Sequence, residues 1–219
     1  MVTPFHPDGS VNVERFRELA AYLVDHGSDG LVVSGTTGEA PTLTDEEKLE
    51  LFAAAVDAVG DRATIVASTG TYDTAHSVHL TEAAHELGVD GFLAITPYYN
   101  KPPQRAIVRH FAAIAAATDK PLVVYNIPSR VVVNIEPDTV AELAEIPNVA
   151  AVKQAHGDLD MRHEGLRADA EDTAASPRCA PDRLHMRHES ARGSRPSPRS
   201  GSRSAYPTPC RTVHRNSGW

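Results

Sequence analysis

The chain of 219 residues has a net charge of −8, but residues 1–160 hold 23 acidic and 10 basic residues, whereas residues 161–219 hold 6 acidic residues and 11 arginines. The acidic, cysteine-free first part excludes a disulfide-rich secreted domain and argues against nucleic acid as a partner. Because no apolar run reaches the roughly 18 residues of a membrane span and no signal-peptide pattern is present, we expect a cytoplasmic protein without membrane association.

Helical and apolar segments alternate along the first part of the chain. The stretch "VNVERFRELAAYLVDHG" has apolar residues at helical spacing and stops at Gly27, a residue that readily adopts the left-handed conformation that ends helices. A strand in "GLVVSG" follows, and the next helix, in "LTDEEKLELFAAAVDAV", opens with the capping-box pair Thr44 and Glu47. Further strands are predicted in "ATIVAS", "GFLAITP", "PLVVYNIP" and "VAAVKQA", and further helices in "DTAHSVHLTEAAHELG", "QRAIVRHFAAIAAAT" and "EPDTVAELAEI".

The predicted strands are apolar throughout rather than alternating between apolar and polar residues. Such strands are buried on both faces, which is typical of parallel strands in βα units. The sequence therefore predicts the α/β class. Repeated βα units without a nucleotide-binding fingerprint favour a (β/α)₈ TIM barrel over a doubly wound sheet, although periodicity alone leaves closure of the sheet open.

The pattern changes after residue 160. Residues 161–219 contain no lysine, both cysteines (Cys179 and Cys210) and runs such as "ARGSRPSPRSGSRS". One interpretation is a disordered basic tail that binds nucleic acid or an acidic partner. The favoured one is a GC-rich gene read out of frame. The cysteines and "HMRH" match no zinc-binding spacing, so we predict no metal site.

Lys153 is the first candidate for chemistry, because it lies in the last apolar strand, near the end where barrel enzymes place their active sites. Apolar surroundings destabilise the ammonium form of a lysine. The neutral amine that results can attack a ketone and form a Schiff base. The alternative is a lysine whose head group lies in solvent beyond the strand.

Other strand ends also carry polar groups. In "GLVVSGTTGEAP", Gly35 and Gly38 allow backbone amides to approach a ligand, and the threonines between them offer hydroxyls to a small carboxylate. In "ITPYYNKP" and "VVYNIPSR", tyrosines at strand ends can relay protons, and Arg130 can bind a carboxylate in a bidentate manner. The alternatives are an ordinary βα loop and tyrosines that pack with an exposed hydroxyl.

The motifs "GTTGEAPTLTDEE", "TPYYNKP", "YNIPSR" and "AVKQA", in this order, resemble the dihydrodipicolinate synthase family of pyruvate-dependent class I aldolases over residues 1–160. The resemblance implies a TIM barrel and a lyase that condenses pyruvate with L-aspartate 4-semialdehyde in diaminopimelate and lysine biosynthesis. It implies a homotetramer and neither a metal nor an organic cofactor. A keto-sugar-acid or N-acetylneuraminate-type pyruvate aldolase is the alternative within this family.

The resemblance also implies roles for individual residues. Lys153 would form the Schiff base with pyruvate, and Tyr125 would shuttle protons. The Thr36 hydroxyl would link Tyr125 to Tyr99, which in the family reaches the active site of a neighbouring subunit.

Two further residues would bind substrate carboxylates. Thr37 matches a contact to the carboxylate of pyruvate, and Arg130 matches the residue that binds the carboxylate of aspartate semialdehyde. An arginine directly after "YNIPS" favours the synthase over the sugar-acid aldolases, because it suits a second substrate with a short-chain carboxylate.

The resemblance is incomplete at both ends. "MVTPF" begins where the first strand of the family is nearly finished, and the match stops just after the sixth strand. We therefore expect an incomplete barrel with units 1 to 6 recognisable in residues 1–160, and a disordered or out-of-frame tail in residues 161–219. We expect such a truncated and frameshifted product to fold poorly and to be inactive. A non-enzymatic remnant with a basic interaction tail is the alternative.

Overall fold

A computed structural model describes residues 1–155, so the predicted tail at residues 161–219 lies outside the described residues. The strands are β1 Gly30–Val33, β2 Thr64–Ser68, β3 Gly91–Ile95, β4 Leu122–Asn126 and β5 Val149–Gln154. The helices are α1 Val13–Asp25, α2 Asp45–Val59, α3 Thr74–Glu86, α4 Gln104–Ala116, α5 Pro128–Val131 and α6 Pro137–Ala144. None of the helices in this part of the chain has the length and apolar character needed to cross a membrane.

The five strands form one parallel sheet in the order β1-β2-β3-β4-β5, so neighbours in the chain are neighbours in space. This confirms the predicted α/β class with parallel strands. It also places the carboxyl ends of all five strands at the same edge of the sheet, where the loops with the candidate residues begin.

The helix boundaries follow the sequence signals. After α1 the chain turns at Gly27, whose φ of 97° is readily accessible to glycine. The predicted capping box of α2 is present, with the Thr44 side chain accepting from the Glu47 amide and the Glu47 carboxylate accepting from the Thr44 amide. Asp73 caps α3 by accepting hydrogen bonds from two amides of the first turn. These caps satisfy backbone groups that helix ends leave unpaired.

Both faces of the sheet are apolar, as the continuous strand patterns predicted. The outer face packs against the helices in a large core that includes Phe16, Phe52, Phe92 and Phe111, all with 0% exposure. The inner face carries a smaller cluster built on Leu93, Tyr125, Ile127 and Val131. Side chains therefore alternate between a helix-facing core and an inner face.

The first residues run beside β1 without forming a strand of the described sheet. The Met1 ammonium donates to Val32 O at 2.9 Å, and Thr3 Oγ1 donates to Gly38 O at 2.7 Å. Burial lowers the pKa of the Met1 amine, and the charge of Lys153 lowers it further. Met1 and Thr3 thus hold the first residues against β1 and the turn that follows it.

Candidate active site

Lys153 and Tyr125 lie side by side on the inner face of the sheet. They are partners in the register of β4 and β5, and the Lys153 Nζ lies 4.0 Å from the centroid of the Tyr125 ring. This distance is within the range of a cation–π interaction. The structure therefore brings together the two residues for which the resemblance implies imine formation and proton transfer.

A one-residue bulge in β5 sets the face on which Lys153 lies. Leu122 is opposite Val149, but Val123 is opposite Ala151, so Ala150 is the extra residue. Without it, strict alternation from Val149 would place Lys153 on the helix-facing side. No pattern in the sequence predicted this bulge, because the run "VAAVKQA" has no polar alternation that could show an interruption.

The surroundings of the two residues differ. Tyr125 is buried with 6% exposure, whereas the Lys153 side chain is exposed. The prediction that apolar surroundings desolvate the Lys153 amine is therefore wrong within residues 1–155. The physical reason is its position on β5, which in this part of the chain is bordered by β4 on one side only.

The predicted carboxylate-binding loop follows β1. Thr36 and Thr37 begin a 3₁₀ turn, Thr36–Gly38, and both side chains are exposed. Gly38 packs closely, since a Cβ there would lie 3.2 Å from Met1 O. Among residues 1–155 no hydrogen bond joins Thr36 to Tyr125 or Tyr99, so the predicted hydroxyl relay stays a prediction.

Tyr99 lies apart from the other candidates, on the loop after β3. Its side chain is 86% exposed and its φ is 65°, an uncommon backbone conformation for a bulky residue. The neighbouring Tyr98 packs edge-to-face with Tyr72 at 5.3 Å, and burial raises the pKa of the Tyr98 phenol. The Tyr99 side chain therefore points into solvent, while the contact of Tyr98 with Tyr72 anchors the loop.

Arg130 lies on α5, the single turn of helix that directly follows β4. Pro128 starts this turn at a position where no backbone donor is lost, and the Arg130 side chain is exposed. The sequence did not predict α5, because four residues are too few to show helical periodicity. Arg130 therefore reaches the carboxyl end of the sheet, five residues after Tyr125.

Two buried polar residues that the sequence reasoning missed hold the backbone near Tyr125. The amide and the hydroxyl of Thr96 both donate to Tyr125 O, at 3.0 and 2.9 Å. Asn126, the next residue along β4, is fully buried and forms hydrogen bonds to Asn134, Ile135 and Ala155. The available signal was a polar residue directly beside an apolar run, in "AITP" and "VVYNIP".

The arrangement combines an amine, a phenol and a guanidinium at one end of a parallel sheet. An amine can add to a ketone, and an adjacent phenol can donate or accept the protons that this addition and the loss of water require. Within residues 1–155 no group of histidine, cysteine, aspartate and glutamate residues is arranged to hold a metal ion. Among the described residues, the amine of Lys153 and the phenol of Tyr125 are thus the pair of reactive groups that the sheet holds side by side.

Comparison with known proteins gives matches over most of the chain. The model of the dihydrodipicolinate synthetase family matches residues 1–175. The 4-hydroxy-tetrahydrodipicolinate synthase of Moorella thermoacetica is 57% identical over 167 residues, which is 76% of this chain and 57% of that protein. The same enzyme of Mycolicibacterium gilvum is 57% identical over 159 residues, covering 73% of this chain and 53% of the relative.

Solved structures give the same result. The crystal structure of dihydrodipicolinate synthase from Aquifex aeolicus matches with a TM-score of 0.74 and 42% identity, over 77% of this chain and 57% of that one. The enzyme from Thermotoga maritima matches with a TM-score of 0.76 and 34% identity, over 80% and 59%. The chain thus spans a little more than half the length of these relatives. Their matched strands confirm the predicted TIM-barrel class for the five-stranded sheet, and the chain belongs to the dihydrodipicolinate synthetase family.

Proposed function

We propose that this chain carries the imine-forming site of a 4-hydroxy-tetrahydrodipicolinate synthase, a lyase that condenses pyruvate with L-aspartate 4-semialdehyde. The observation that carries the proposal is the pairing of Lys153 with Tyr125 across β4 and β5, 4.0 Å from amine to ring centroid. The names of the relatives support the synthase over the sugar-acid aldolase.

The proposed reaction begins when the Lys153 ammonium loses a proton and the amine attacks C2 of pyruvate. The Tyr125 phenol supplies the proton that lets water leave, which gives a protonated imine. This imine is an electron sink, so the Tyr125 phenolate can take up a methyl proton, which leaves an enamine. The enamine carbon then attacks the aldehyde of the second substrate. Hydrolysis or cyclisation of the product then releases the lysine amine.

The remaining residues have proposed roles in binding. Thr37 would hold the carboxylate of pyruvate, and Arg130 would hold that of the semialdehyde by charge-assisted hydrogen bonds. The exposure of Tyr99 supports its proposed contact with a neighbouring subunit. In the proposed proton relay, the Thr36 hydroxyl would link Tyr125 to Tyr99. The homotetrameric state and the cytoplasmic location belong to the same proposal.

Borohydride trapping with pyruvate tests the proposal directly. The purified chain is incubated with pyruvate and borohydride, and its intact mass and peptide map are recorded. We expect one adduct on Lys153 and its loss in Lys153→Arg, because a guanidinium does not form the imine. Lys101→Arg is the matched control, since Lys101 is an exposed lysine at the same end of the sheet.

The peptide map must also separate Lys153 from the Met1 amine, whose lowered pKa makes it a second candidate nucleophile. An adduct confined to Met1 would contradict the proposal. The absence of any adduct, beside a complete relative that is labelled under the same conditions, would also contradict the proposal and would support the prediction that this chain is inactive. Turnover with a sugar aldehyde and none with aspartate semialdehyde would favour the aldolase alternative.

A further inference from the structure

Asn126 is a buried polar residue inside the apolar end of β4. It follows Tyr125 directly, and its exposure is 0%. A buried side-chain amide costs free energy unless its donors and acceptors are paired. The hydrogen bonds of the Asn126 amide therefore identify the segments that this residue holds together.

The Asn126 side chain contacts the return of the loop that leaves β4. Its Nδ2 donates to Asn134 Oδ1 at 2.9 Å, and its Oδ1 accepts from the Ile135 amide at 3.3 Å. The chain thus departs from Asn126 and comes back to it within nine residues. This closed segment, residues 127–135, is the Arg130 loop.

The Arg130 loop is also braced from outside and packed from within. Gln104, at the start of α4, donates through Nε2 to Asn134 O at 2.8 Å, and its Oε1 accepts from the Glu136 amide at 3.2 Å. Inside the loop Val131 is buried against the inner cluster. Arg130 therefore lies on a segment whose two ends are held together and whose conformation is restricted by packing.

The backbone of Asn126 makes the third contact, to the strand that carries Lys153. Asn126 O accepts from the Ala155 amide at 2.8 Å, two residues after Lys153. A single residue thus contacts both the end of β5 and the return of the Arg130 loop.

We propose that Asn126 is a positioning residue that fixes the Arg130 guanidinium relative to the Lys153 amine, and so places the carboxylate of the second substrate against the pyruvate imine. The inference rests on the proposed function, because it concerns the second substrate of the same site. Asn126 itself touches no reacting atom. Its effect is to restrict the conformations of the Arg130 loop, so that less ordering remains to be done when substrate binds.

The test compares Asn126→Ala with Asn148→Ala. Asn148 is a matched control, because its Nδ2 holds a loop at the opposite end of the sheet by donating to Ala115 O and Thr118 O, both at 2.9 Å. Asn134→Ala removes one of the Asn126 contacts from an only partly buried position, so it serves if Asn126→Ala fails to fold. Arg130→Ala shows how much binding depends on the guanidinium.

Each variant is first trapped with pyruvate and borohydride, and succinate semialdehyde is then titrated calorimetrically into the trapped chain. We expect trapping at Lys153 within about twofold of wild type in the three asparagine variants. We expect the Kd for succinate semialdehyde to rise about tenfold in Asn126→Ala and less in Asn134→Ala, and to be unchanged in Asn148→Ala. Trypsin cleavage after Arg130 should accelerate in the same order.

An adduct with unchanged semialdehyde binding in Asn126→Ala would overturn the inference and leave the proposed function intact. Equal weakening in Asn148→Ala would also overturn it, because the effect would then be a general loss of stability. A wild-type chain without an adduct is a failure of the proposed function. In that case unchanged trypsin cleavage in Asn126→Ala would contradict the closure of the loop independently.

Discussion

Gly70 shows how closely two strands approach at the carboxyl end of the sheet. It follows β2, and a Cβ at this position would lie 2.4 Å from Ile95 N and 2.6 Å from Ala94 Cα. These are backbone atoms of β3 and its end, so no side-chain rotation can relieve the overlap. Gly70 thus sets the spacing of β2 and β3 near the candidate site.

Gly70→Ala should lower the free energy of unfolding by about 1–3 kcal/mol, the usual cost of inserting a methyl group into a packed site. Urea denaturation measures the change. Gly35→Ala is the control, since a Cβ there would meet only the Val32 side chain at 3.5 Å. Equal free energies of unfolding for the two variants would show that β2 and β3 can move apart to accommodate the methyl group without loss of stability.

His110 is a buried histidine that the site does not use. It lies on α4 with 3% exposure, its Nδ1 lies 2.8 Å from Thr74 Oγ1, and its Nε2 has no partner among the described residues. Burial lowers its pKa from 6.5 to about 4, and the charge of Asp73 opposes this shift in part. Between about pH 4 and pH 6.5, the His110 ring is therefore neutral in the folded state but protonated in the unfolded chain.

This difference predicts a loss of stability in acid. The His110 contribution is fully present above pH 6.5 and is lost as the pH falls toward about 4, because the unfolded state takes up the proton first. Between about pH 7 and about pH 5 the wild type should lose about 2 kcal/mol more than His110→Leu does. Urea denaturation at both pH values measures this, and His79→Gln, an exposed histidine on α3, should behave as wild type. A pH dependence that persists in His110→Leu would contradict the assignment.

At the scale of elements, local signals predicted most boundaries. The capping box of α2 and the glycine after α1 lie where the sequence placed them, because caps are decided within a few residues. The bulge at Ala150 and the short α5 were not predictable. Both depend on tertiary packing, the first on keeping Val149 and Val152 in the outer core and the second on burying Val131.

The bulge yields a prediction for the site. Deleting Ala150 should reduce pyruvate trapping at Lys153 by at least about tenfold, because a one-residue shift from Val149 moves every later side chain to the other face. Ala150→Gly, which keeps the extra residue, is the control. Trapping that survives the deletion would show that the contacts of Tyr125 and Asn126 fix β5 without the bulge.

At the scale of the molecule, the α/β class with parallel strands followed from apolar runs alternating with amphipathic helices. Closure of the sheet did not follow, because periodicity records which faces are buried and not how strands twist. The candidate residues were identified by type and position at strand ends. Their mutual distances needed the register of β4 and β5. The predicted domain boundary at residue 160 stays a prediction.

A shortened chain tests whether residues 176–219 contribute to the proposed site. All six proposed site residues precede residue 154, and the family model matches only residues 1–175. A chain of residues 1–175 should therefore trap pyruvate to the same extent as the full chain, within about twofold. Mass spectrometry after borohydride reduction measures the yield. A clear loss would show that residues 176–219 support the site.

The strand order has a consequence for synthesis on the ribosome. Because the strands lie in space in the order in which they are made, each can join the edge of the growing sheet as it emerges, with no earlier strand displaced. β5 comes last of the five, so the lysine amine reaches the phenol of Tyr125 only after the four preceding strands have been made. Lys153 is therefore the last of the six proposed site residues to be synthesised, so the proposed site stays incomplete in the nascent chain until β5 has been made.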